Sequence, residues 1–520
     1  MAEKFGSTLL CAPVVEKTVE EMVAEMSAAR SQGADVAELR IDHLAAFEMR
    51  PDLELLIKNR PLPVLVTYRP KWEGGQYEGD DRKRFEALHL AMELGAEYVD
   101  VELKVAREFL HFLSGKRPEG AKLIVSSHNY QFTPSTEELS TLVARIQAVG
   151  ADIVKIATFA VDICDVARMF QVLVHCQGLQ VPMIGLCMGE RGVISRILCP
   201  KFGGYLTFGT LSAGKESAPG QPTMSDLLDV YRIKQIGVDT KVYGLIGKPV
   251  GHSKSPKLHN AVFKAVGLNA VYVPFLTDNL ANFLNTYSSP DFTGFSNTMP
   301  HKETAVTLCH EVDPVAKSIG AVNTIIRRQT DGKLVGYNTD YTGAISAIED
   351  GIRGLQGHKD GTVSPLAGRL FVVIGAGGAG RALAFGAKYK GARVMIANRT
   401  YDRARELADL VGGQALSLTE LENFHAEEGA VLANTTSIGM NPNIHDTPLS
   451  SKQALSSYAV VFDAIYNPKV TRLMREAREC GAALVSGEEM FLRQAMGQFE
   501  LFTNSSAPSD LMREIIMKST

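Results

Sequence analysis

Short apolar segments alternate with amphipathic stretches eight times between residue 1 and residue 236. The apolar segments have the length and β-branched content of strands, whereas the stretches between them repeat apolar residues at helical spacing. Eight consecutive strand–helix units predict an α/β fold of the (β/α)₈, or TIM-barrel, type, with parallel strands inside and helices outside. The predicted strands are "STLLCAPVV", "DVAELRID", "PVLVTYRP", "EYVDVEL", "AKLIVSSHN", "DIVKIATF", "PMIGLCMG" and "YLTFGTL".

A second α/β pattern begins near Lys241. The segment before it, "MSDLLDVYRIKQIG", has helical spacing and is predicted to close the barrel, which places the domain break at "GVDTK". Further along, "LFVVIGAGGAGRALAF" joins an apolar strand directly to a glycine-rich turn and a helix. We therefore expect the barrel to be followed by a two-domain α/β protein that contains a Rossmann dinucleotide-binding domain.

Charged side chains fall towards the carboxyl ends of five predicted barrel strands, where barrel enzymes place their catalytic groups. Alternate residues of a strand share one face, so Glu38 and Arg40 point the same way on the second strand. The same holds for Asp100, Glu102 and Lys104 on the fourth. Convergence from five strands predicts a functional site inside the barrel. The other members of this group are Arg69, His128 and Lys155.

Lys155 is the most unusual of these residues, because "ADIVKIATF" otherwise reads as a buried strand. A buried ammonium group is costly, so such lysines usually form an ion pair or lose their proton and become reactive. From the local sequence alone, a structural ion pair is the ordinary explanation. The alternative is a reactive amine.

Length and composition limit the classes of function. A chain of 520 residues exceeds a single core, and 45% apolar with 22% charged residues is typical of soluble globular proteins. The net charge of −4 gives no electrostatic reason to expect a nucleic-acid or membrane partner, and no apolar run approaches the ~20 residues of a membrane span. Seven cysteines without a C-x-x-C pair argue against a disulfide framework or a metal site.

The glycine-rich turn "GAGGAG" follows a strand and opens a helix, which is the arrangement that binds a dinucleotide pyrophosphate. Its glycines are Gly375, Gly377, Gly378 and Gly380. The next strand ends in Asn398, Arg399 and Thr400, with Arg403 one turn later, and lacks the acid that holds the ribose 2′-hydroxyl of NAD. Guanidinium groups bind a 2′-phosphate, so we expect NADP(H); a solvated helix start is the alternative explanation of these arginines.

Several polar residues of the second half have ordinary explanations when each is taken alone. Ser253 and Ser255 in "GHSKSP" resemble helix caps, and Lys302 in "NTMPHKE" resembles a surface lysine. Asn323 and Asp340 follow in "GAVNTI" and "GYNTDYTG". Together these hydroxyl, amide, amine and carboxylate groups are suited to a polyhydroxylated carboxylate substrate.

Two sets of motifs carry a resemblance to known families. The chain from Tyr243 onward resembles shikimate dehydrogenase in "GHSKSP", "TMPHK", "GAVNT", "NTD", "GAGGAG", "NRT", "NTTSIGM" and "YNP". The first half resembles type I 3-dehydroquinate dehydratase in "ELR", "DVEL", "SSHN", "DIVKIA", "GVISR" and "SAPGQ". The fusion in this order resembles the bifunctional plant enzymes. It implies domains at 1–236, at 237–342 completed by 490–520, and at 343–489.

The dehydratase resemblance implies a Schiff-base mechanism. Lys155 is expected to attack the C3 ketone of 3-dehydroquinate, and His128 to remove the C2 proton and help water leave. Glu102 is expected to orient His128, and the step requires no metal or cofactor. The residues implied to hold the substrate are Glu38, Arg40, Arg69, Arg196, Ser217 and Gln221.

The dehydrogenase resemblance implies reduction of 3-dehydroshikimate to shikimate with NADPH. Lys302, paired with Asp340, is expected to supply the proton, and Ser253 and Ser255 to bind the carboxylate. Tyr466 is expected near that carboxylate. The residues implied to bind the hydroxyls and the ketone are Thr298, Asn323, Asp340 and Gln494.

One departure from the family pattern keeps alternatives open. Many shikimate dehydrogenases have Asn-Val-Thr before Pro-x-Lys, whereas this chain has Ser296, Asn297 and Thr298. Related enzymes use quinate or form gallate, so the second site has these as alternatives, although Ser255 and Thr298 favour shikimate. A non-catalytic ligand sensor is a further hypothesis. Such a sensor would not need all four of the implied catalytic side chains, which are Lys155, His128, Lys302 and Asp340.

The remaining expectations concern partners and compartment. We expect small-molecule substrates, no nucleic-acid or membrane partner, no metal, and a monomer. The N-terminal "MAEKFGSTLLCAPVV" lacks the pattern of a secretory signal or a transit peptide, which fits the cytosol. The family resemblance instead suggests a plastid location.

Overall fold

The structure is a computed structural model that describes residues 7–356 and 363–518. The chain divides into two compact units, Met1–Phe292 and Thr293–Thr520. None of the helices in the described ranges is long and apolar enough to cross a membrane. Within the same ranges, no group of three or more His, Cys, Asp or Glu side chains is arranged to hold a metal ion.

The first unit contains the expected barrel. Its eight strands are all parallel in the order β7-β6-β5-β4-β3-β2-β1-β8, and the Tyr205 N–H, just before β8, donates to Met183 O of β7 at 2.8 Å. The strands are β1 (Leu9–Val14), β2 (Val36–Arg40), β3 (Val64–Thr67), β4 (Tyr98–Glu102), β5 (Lys122–His128), β6 (Ile153–Phe159), β7 (Met183–Met188) and β8 (Leu206–Phe208). The helices are α1 (Val19–Ser31), α2 (Met49–Lys58), α3 (Asp81–Glu93), α4 (Ala106–Leu113), α5 (Thr136–Ala148), α6 (Asp165–Gly178) and α7 (Val193–Ile197). The sequence-based prediction of a barrel is confirmed.

The period of two along each strand explains how the barrel interior is divided. Val36 and Ile153 belong to an apolar cluster inside the sheet, and Glu38 and Lys155 lie two residues further along the same strands. Side chains at positions i and i+2 share a face, so each strand carries an apolar residue first and a charged one nearer its carboxyl end. Apolar packing therefore holds the barrel together at one level and leaves the next level for polar chemistry.

The predicted helix "MSDLLDVYRIKQIG" differs from the structure. A single π-helical turn covers Asp226–Val230, and a separate 3₁₀ turn covers Ile233–Gln235. Arg232 between them has a left-handed backbone (φ 49°), which interrupts the helical hydrogen bonding. The helical prediction is correct for the first turn only, because the chain bends at Arg232.

The first unit also holds the start of the second α/β pattern. Strands β9 (Lys241–Gly247) and β10 (Ala270–Leu276) pair in parallel, with Tyr243 opposite Tyr272. Helix α8 (Ser255–Ala265) connects them, and α9 (Leu280–Thr286) follows β10. The loop between β9 and α8 carries Ser253.

The second unit begins with a small group of strands. β11 (Phe292–Asn297) and β13 (Thr324–Arg327) are antiparallel, as are β13 and β14 (Leu334–Tyr337), whereas β12 (Glu311–Val312) and β14 are parallel. Three helices, α10 (Thr304–Leu308), α11 (Pro314–Ile319) and α12 (Thr339–Gln356), belong to this part of the chain.

The Rossmann domain follows and confirms the predicted doubly wound fold. Its parallel strands have the order β17-β16-β15-β18-β19-β20, so the order reverses between β15 and β18. The strands are β15 (Leu370–Ile374), β16 (Arg393–Asn398), β17 (Gln414–Ser417), β18 (Ala430–Asn434), β19 (Tyr458–Asp463) and β20 (Ala483–Ser486). The helices are α13 (Gly378–Tyr389), α14 (Tyr401–Val411), α15 (Leu418–Leu421), α16 (Lys452–Leu455), α17 (Arg472–Glu479), α18 (Gly487–Thr503) and α19 (Ser509–Lys518).

Both faces of this Rossmann sheet are covered by apolar side chains. Phe371 and Val373 of β15 belong to one core, and Val372 and Ile374 of the same strand belong to the core on the other face. A strand buried on both faces is typical of a parallel sheet between helix layers, and it explains the unbroken apolar run in the sequence. After the sheet ends, α18 packs along α12.

Candidate active sites

Lys155 lies inside the barrel and faces two carboxylates. Its Nζ atom is 2.7 Å from Asp100 Oδ2 and 3.6 Å from Glu38 Oε1, and the residue is only 4% exposed. The ammonium group also lies 5.0 Å from the centre of the Phe208 ring. The ion pair that was the ordinary explanation of this lysine is therefore present in the structure.

Arg69 completes the charge balance around this lysine. Its guanidinium contacts Asp100 Oδ1 at 2.8 Å, Glu102 Oε1 at 2.7 Å and Ser126 Oγ at 2.9 Å. Burial alone raises the pKa of Asp100, but the positive charges of Arg69 and Lys155 outweigh it and hold this pKa well below its usual range. Asp100 is therefore a permanently ionised partner of the lysine.

His128, at the end of β5, is paired with Glu73. The Nδ1 atom of His128 is 3.2 Å from Glu73 Oε1, and its backbone N–H donates to the same oxygen at 2.9 Å. Burial, followed by the charges of Arg69 and Lys155, holds the pKa of His128 well below its usual value. The imidazole is therefore neutral, and with Nδ1–H donating to Glu73 its Nε2 atom can accept a proton.

Glu102 does not occupy the place that the sequence analysis gave it. Its two oxygens are bound by Arg69 and by the fully buried Arg84 of α3, whereas the carboxylate at the His128 ring is that of Glu73. Arg84 also donates from Nε to Tyr68 O at 2.8 Å. The spacing along β4 placed Glu102 inside the barrel correctly, but it did not reveal that an arginine from a helix engages it.

Sequence reasoning missed Glu73 because this residue lies in the loop after β3. A signal was nevertheless present in the two glycines that follow it. Gly74 has a left-handed backbone (φ 81°), and a Cβ atom on Gly75 would lie 2.1 Å from Arg69 O. Such a tight turn folds the loop back towards Arg69, and it could have drawn attention to the acid beside it.

Arg196 and Gln221 have buried donors that find no acceptor among the described residues. Arg196 is 1% exposed, and its Nε and Nη2 atoms have no acceptor among the described residues. Burial lowers the pKa of Arg196 to about 10. Gln221 Oε1 accepts from the N–H and hydroxyl of Ser217 at 3.0 and 3.2 Å, while no described residue accepts from its Nε2. Buried donors that lack acceptors favour an oxygen-rich anionic ligand.

Glu38 and Arg40 are held by neighbours within the barrel half. Thr67 donates its hydroxyl to Glu38 Oε1 at 2.9 Å. Arg40 forms two hydrogen bonds with Asp42, at 2.8 and 2.9 Å, and Asp42 also accepts the Gln76 N–H at 3.0 Å. Burial lowers the pKa of Arg40, but Asp42 outweighs it and raises this pKa overall. Asp42 therefore links Arg40 to the loop that carries Glu73.

In the second unit, Lys302 and Asp340 form the predicted pair, with Nζ and Oδ2 2.6 Å apart. Lys302 follows β11, and its carbonyl oxygen accepts the Val322 N–H at 2.8 Å. Asp340 lies in the first turn of α12, where the helix dipole favours a carboxylate. Both side chains are partly exposed, at 20% and 10%.

Asn323 is held by the residues around it. Its Nδ2 atom donates to Thr339 Oγ1 at 3.0 Å, and its Oδ1 atom accepts the Thr339 N–H at 2.8 Å and the Thr324 hydroxyl at 2.8 Å. Gln498 binds the same segment, because its Nε2 atom donates to Thr324 Oγ1 at 3.1 Å and to Asn323 O at 3.3 Å. These contacts tie Asn323 to Thr339, the residue before Asp340, and to helix α18.

Gln498 was missed by the sequence analysis. It lies one helical turn after the predicted residue Gln494 on α18, and residues four positions apart share a helix face. Gln494 itself donates from Nε2 to Phe491 O at 3.1 Å, and the Phe491 ring lies 5.6 Å from that of Tyr466. Burial raises the pKa of the Tyr466 hydroxyl. The helical spacing could have predicted that both glutamines face the same region.

The three residues of the unusual triplet before Lys302 make different contacts. Ser296 donates its hydroxyl to Gln498 Oε1 at 2.7 Å. Asn297 is 2% exposed and donates from Nδ2 to Val322 O at 2.8 Å, but its Oδ1 atom has no donor among the described residues. Thr298 is partly buried, and its carbonyl oxygen accepts the His301 N–H at 3.0 Å. Asn297 is therefore an incompletely satisfied buried amide.

Ser253 and Ser255 lie in the first unit at the start of α8. Ser253 Oγ accepts the Ser255 N–H at 3.2 Å in a local turn, and Ser255 is the first residue of the helix. Ser255 is 5% exposed. Lys254 is the N-cap of α8 and no described side chain caps this helix, so the capping explanation does not hold for either serine.

The glycine-rich turn leaves room for a ligand. Gly375 has a left-handed backbone (φ 109°), and a Cβ atom on Gly380 would lie 2.1 Å from Gly375 O, so both positions require glycine. By contrast, a Cβ atom on Gly377, the residue before α13, would meet no described atom within 4 Å. A compact turn with open space at the helix N-terminus fits a pyrophosphate.

The turn also lies beside the lysine–aspartate pair. A Cβ atom built on Gly378 would be 3.5 Å from Cδ of Lys302. The structure therefore brings the predicted cofactor turn and the predicted proton donor together within the second unit.

The end of β16 presents exposed positive charge. Asn398 donates from Nδ2 to Thr400 O at 3.0 Å, and Thr400 precedes α14. Arg399 and Arg403 are exposed, and neither forms an ion pair with a residue that the structure describes. These free guanidinium groups fit a ribose phosphate better than a ribose hydroxyl.

Comparisons with known proteins cover both halves of the chain. The model for type I 3-dehydroquinase matches residues 10–238, and the model for the shikimate dehydrogenase substrate binding domain matches residues 245–325. The shikimate / quinate 5-dehydrogenase model matches residues 360–475, and the shikimate 5'-dehydrogenase C-terminal domain model matches residues 487–517.

Individual relatives agree with these matches. The chloroplastic bifunctional 3-dehydroquinate dehydratase/shikimate dehydrogenase of Arabidopsis thaliana is 63% identical over 98% of this chain and 84% of its own length. The shikimate dehydrogenase (NADP(+)) of Methanosarcina barkeri is 38% identical over 54% of this chain and 98% of its own length. Among solved structures, the dehydroquinate dehydratase and shikimate dehydrogenase from S. pombe aligns over 98% of each chain, with 25% identity and a TM-score of 0.45.

Proposed function

Because this chain belongs to the family of bifunctional 3-dehydroquinate dehydratase/shikimate dehydrogenases, we propose that it catalyses two successive reactions of the shikimate pathway. The barrel dehydrates 3-dehydroquinate to 3-dehydroshikimate, and the second half reduces this product to shikimate. The observation that carries the first assignment is the buried Lys155 amine between Asp100 and Glu38. The second rests on the Lys302–Asp340 pair beside the glycine-rich turn.

In the dehydration, the deprotonated Nζ atom of Lys155 attacks the C3 carbonyl, and loss of water gives a protonated imine. This cation makes the neighbouring C2–H acidic, so that a base can remove the proton first, after which the C1 hydroxyl is protonated and leaves as water. Asp100 stays ionised and stabilises first the ammonium and then the iminium charge. Water then hydrolyses the imine and releases the product from the amine. Lys155 is thus proposed to form the ion pair in the resting enzyme and to act as the reactive amine once it has lost its proton.

His128 is the base and acid of this elimination. Its neutral imidazole accepts the C2 proton and then donates a proton to the departing hydroxyl. Glu73 holds the ring through Nδ1 and stabilises the imidazolium that forms between the two steps. Glu73 is therefore proposed as the positioning carboxylate, in the role that the sequence analysis had given to Glu102.

The substrate carboxylate is proposed to bind at Arg196. The buried guanidinium lacks an acceptor among the described residues, and a carboxylate supplies both the charge and the oxygens. Ser217 and Gln221 bind the adjoining oxygens. Glu38, Arg40 and Arg69 complete the proposed pocket at the carboxyl ends of the strands.

In the reduction, bound NADPH supplies the hydride. Lys302 protonates the oxygen of the 3-dehydroshikimate ketone as it becomes a hydroxyl, and Asp340 holds the ammonium in place through the 2.6 Å contact. Thr298, Asn323 and Gln494 are proposed to bind the substrate oxygens, with Asp340 at the hydroxyl next to the ketone. Ser253, Ser255 and Tyr466 are proposed to bind the carboxylate.

The cofactor assignment to NADP(H) rests on the two turns that follow strands β15 and β16 of the Rossmann domain. Gly375, Gly377, Gly378 and Gly380 form the turn for the pyrophosphate. Asn398, Arg399, Thr400 and Arg403 supply donors and positive charge for the 2′-phosphate, with no acid at the strand end. The relative from Methanosarcina barkeri carries NADP(+) in its name, which supports the same assignment.

A coupled assay tests the whole proposal. The purified protein is mixed with 3-dehydroquinate and NADPH, oxidation of the cofactor is followed by absorbance, and the product is identified by mass. Shikimate as the product is expected. Quinate as the main product, or cofactor oxidation only when 3-dehydroshikimate is supplied, would contradict the second or the first assignment respectively.

Three further proposals follow from the same resemblance. The domains are proposed at residues 1–236, at 237–342 with 490–520, and at 343–489, and the chain is proposed to be a monomer. A plastid location is proposed because the relative from Arabidopsis thaliana is chloroplastic. Light scattering of the purified protein tests the monomer, and organelle fractionation tests the location.

A further inference from the structure

A cavity in the first unit lies away from the residues of both candidate sites. Its volume is about 380 Å³, which is within the range of small-ligand pockets. One wall comes from five residues between Tyr231 and Thr240, at the end of the barrel half, and the other from five residues between Lys264 and Ala270, from the end of α8 to the start of β10. None of the residues assigned above to catalysis or to substrate or cofactor binding lines it.

The charged side chains that line this cavity are both positive. Arg232 and Lys264 both line it, and none of the described residues in its wall is acidic. Lys264 is exposed and forms no ion pair with any residue that the structure describes. Two cations at one cavity without a compensating carboxylate attract an anion.

Arg232 has an unsatisfied donor. Its Nη1 atom donates to Gln235 Oε1 at 2.9 Å and its Nη2 atom to Ala270 O at the long distance of 3.4 Å, but its buried Nε atom has no acceptor among the described residues. Its left-handed backbone (φ 49°) is unfavourable for an arginine. An anionic oxygen would satisfy the free N–H and strengthen the weak contact.

The rest of the wall is part polar and part apolar, since Gln235, Thr240 and Asn269 line it together with an apolar group of residues. Ile236, Leu268 and Ala270 contribute aliphatic surface, and Tyr231 contributes an aromatic ring. We propose that this cavity binds a small organic anion, a carboxylate or a phosphate ester on a ring-sized apolar body, through Arg232 and Lys264. The proposal is independent of the two catalytic assignments, because it uses none of their residues.

Calorimetric titration of the full chain tests this proposal with three probes. Benzoate and phenyl phosphate carry the two candidate head groups on the same ring, and benzyl alcohol is the neutral control. We expect at least one anion to bind saturably and at least tenfold more tightly than the alcohol. The better of the two anions identifies the head group.

Variants locate the binding, since anions can also enter the catalytic sites. Replacing both cations (R232Q/K264Q) is expected to weaken binding of the better anion at least tenfold. The matched variant R145Q/K116Q removes the same charge from two exposed positions without ion pairs to described residues, and it is expected to bind as the original protein does. Both variants should retain dehydration and reduction, which shows that they are folded.

The proposal is overturned if neither anion binds better than benzyl alcohol, or if R232Q/K264Q binds the anion as tightly as R145Q/K116Q does. If the double variant does not fold, the single variant K264E replaces it, since Lys264 is exposed and on a helix. Reversing that charge is expected to weaken binding at least tenfold. An unchanged affinity in K264E would equally overturn the proposal.

Discussion

The two candidate sites differ in how their charges are satisfied. In the barrel, Lys155, Arg69, Asp100 and Glu102 are almost fully buried and neutralise one another before any ligand arrives. In the second unit, the Lys302–Asp340 pair is partly exposed, and the arginines at the end of β16 have no described partner. On the proposed assignments, the barrel site has its reactive group on the chain, whereas the second site requires a bound cofactor.

This difference teaches that a buried ion pair and a catalytic amine are not competing explanations. A lysine kept in a dry interior needs a counter-charge at rest, because an unpaired buried ammonium is costly. The same counter-charge stabilises the iminium that replaces the ammonium. An ion pair at such a lysine is therefore compatible with Schiff-base chemistry and does not argue against it.

The largest expected effect comes from removing the proposed nucleophile. Lys155→Met should lower the rate of 3-dehydroquinate dehydration by about 10⁴-fold or more, because the covalent route is lost. NADPH-dependent reduction of 3-dehydroshikimate should stay within about twofold, since its proposed residues lie elsewhere in the chain. Both rates are measured on the same preparation. A parallel loss of both, in a protein with unchanged circular dichroism, would contradict two independent sites.

Removing the proposed proton donor of the second site tests the independence of the two sites from the other direction. Lys302→Ala should lower the rate of reduction by about 10²–10⁴-fold, as expected for loss of a general acid, and leave dehydration intact. Lys317→Ala serves as the control, because that lysine is exposed on α11 and forms no ion pair with a described residue. If Lys302→Ala and Lys317→Ala reduced 3-dehydroshikimate equally fast, Lys302 would not be the proton donor.

Glu73 should give the barrel site its pH dependence. Burial raises the pKa of Glu73 to about 7, so below that pH the carboxyl is neutral and no longer stabilises the imidazolium form of His128 by its charge. The kcat/KM of dehydration should therefore rise as the pH increases through about 7. Glu73→Gln should lower kcat about 10- to 100-fold and remove this rise. A rise that persists in Glu73→Gln would assign it to another group.

Cofactor selectivity should depend on the arginine at the end of β16. Arg399→Ala should raise the KM for NADPH about 10- to 100-fold, as expected for loss of a charge-assisted contact to a phosphate. The KM for NADH should change less than about threefold, because that cofactor lacks the 2′-phosphate. Steady-state kinetics with both cofactors give the two ratios. Equal losses for both cofactors would contradict the proposed contact.

The smallest effect is expected at Asn297. Asn297→Val removes one hydrogen bond to Val322 O but also removes the buried Oδ1 that has no described donor, so the two contributions oppose each other. We expect the free energy of unfolding to change by about 1 kcal/mol or less and shikimate to remain the product. Urea denaturation and product analysis measure these two quantities. A switch to quinate would show that this residue selects the substrate.

The sequence predicted those features that depend on local periodicity. Each of the eight predicted barrel strands contains an observed strand, and alternation along β2 and β4 placed Glu38 and Asp100 on the inner face. The glycine turn was predicted because a left-handed position such as Gly375 strongly favours glycine. These features follow from local backbone geometry, which the pattern of residue types along the chain indicates.

The features that the sequence analysis missed depend on contacts between distant segments. Glu73 replaces Glu102 at His128 because a loop folds over the barrel and because Arg84 from a helix takes Glu102. Gln498 contacts residues about 175 positions earlier in the chain. The bend at Arg232 likewise has no local signal, since arginine rarely adopts a left-handed backbone.

The claim that Lys155 is the nucleophile can be tested most directly by trapping its adduct. The protein is incubated with 3-dehydroquinate and sodium borohydride, digested and analysed by mass spectrometry. The account predicts a single reduced substrate adduct on the peptide that contains Lys155, and no adduct in Lys155→Met. A dehydratase that is active but forms no adduct, or one that forms it on another lysine, would contradict the account.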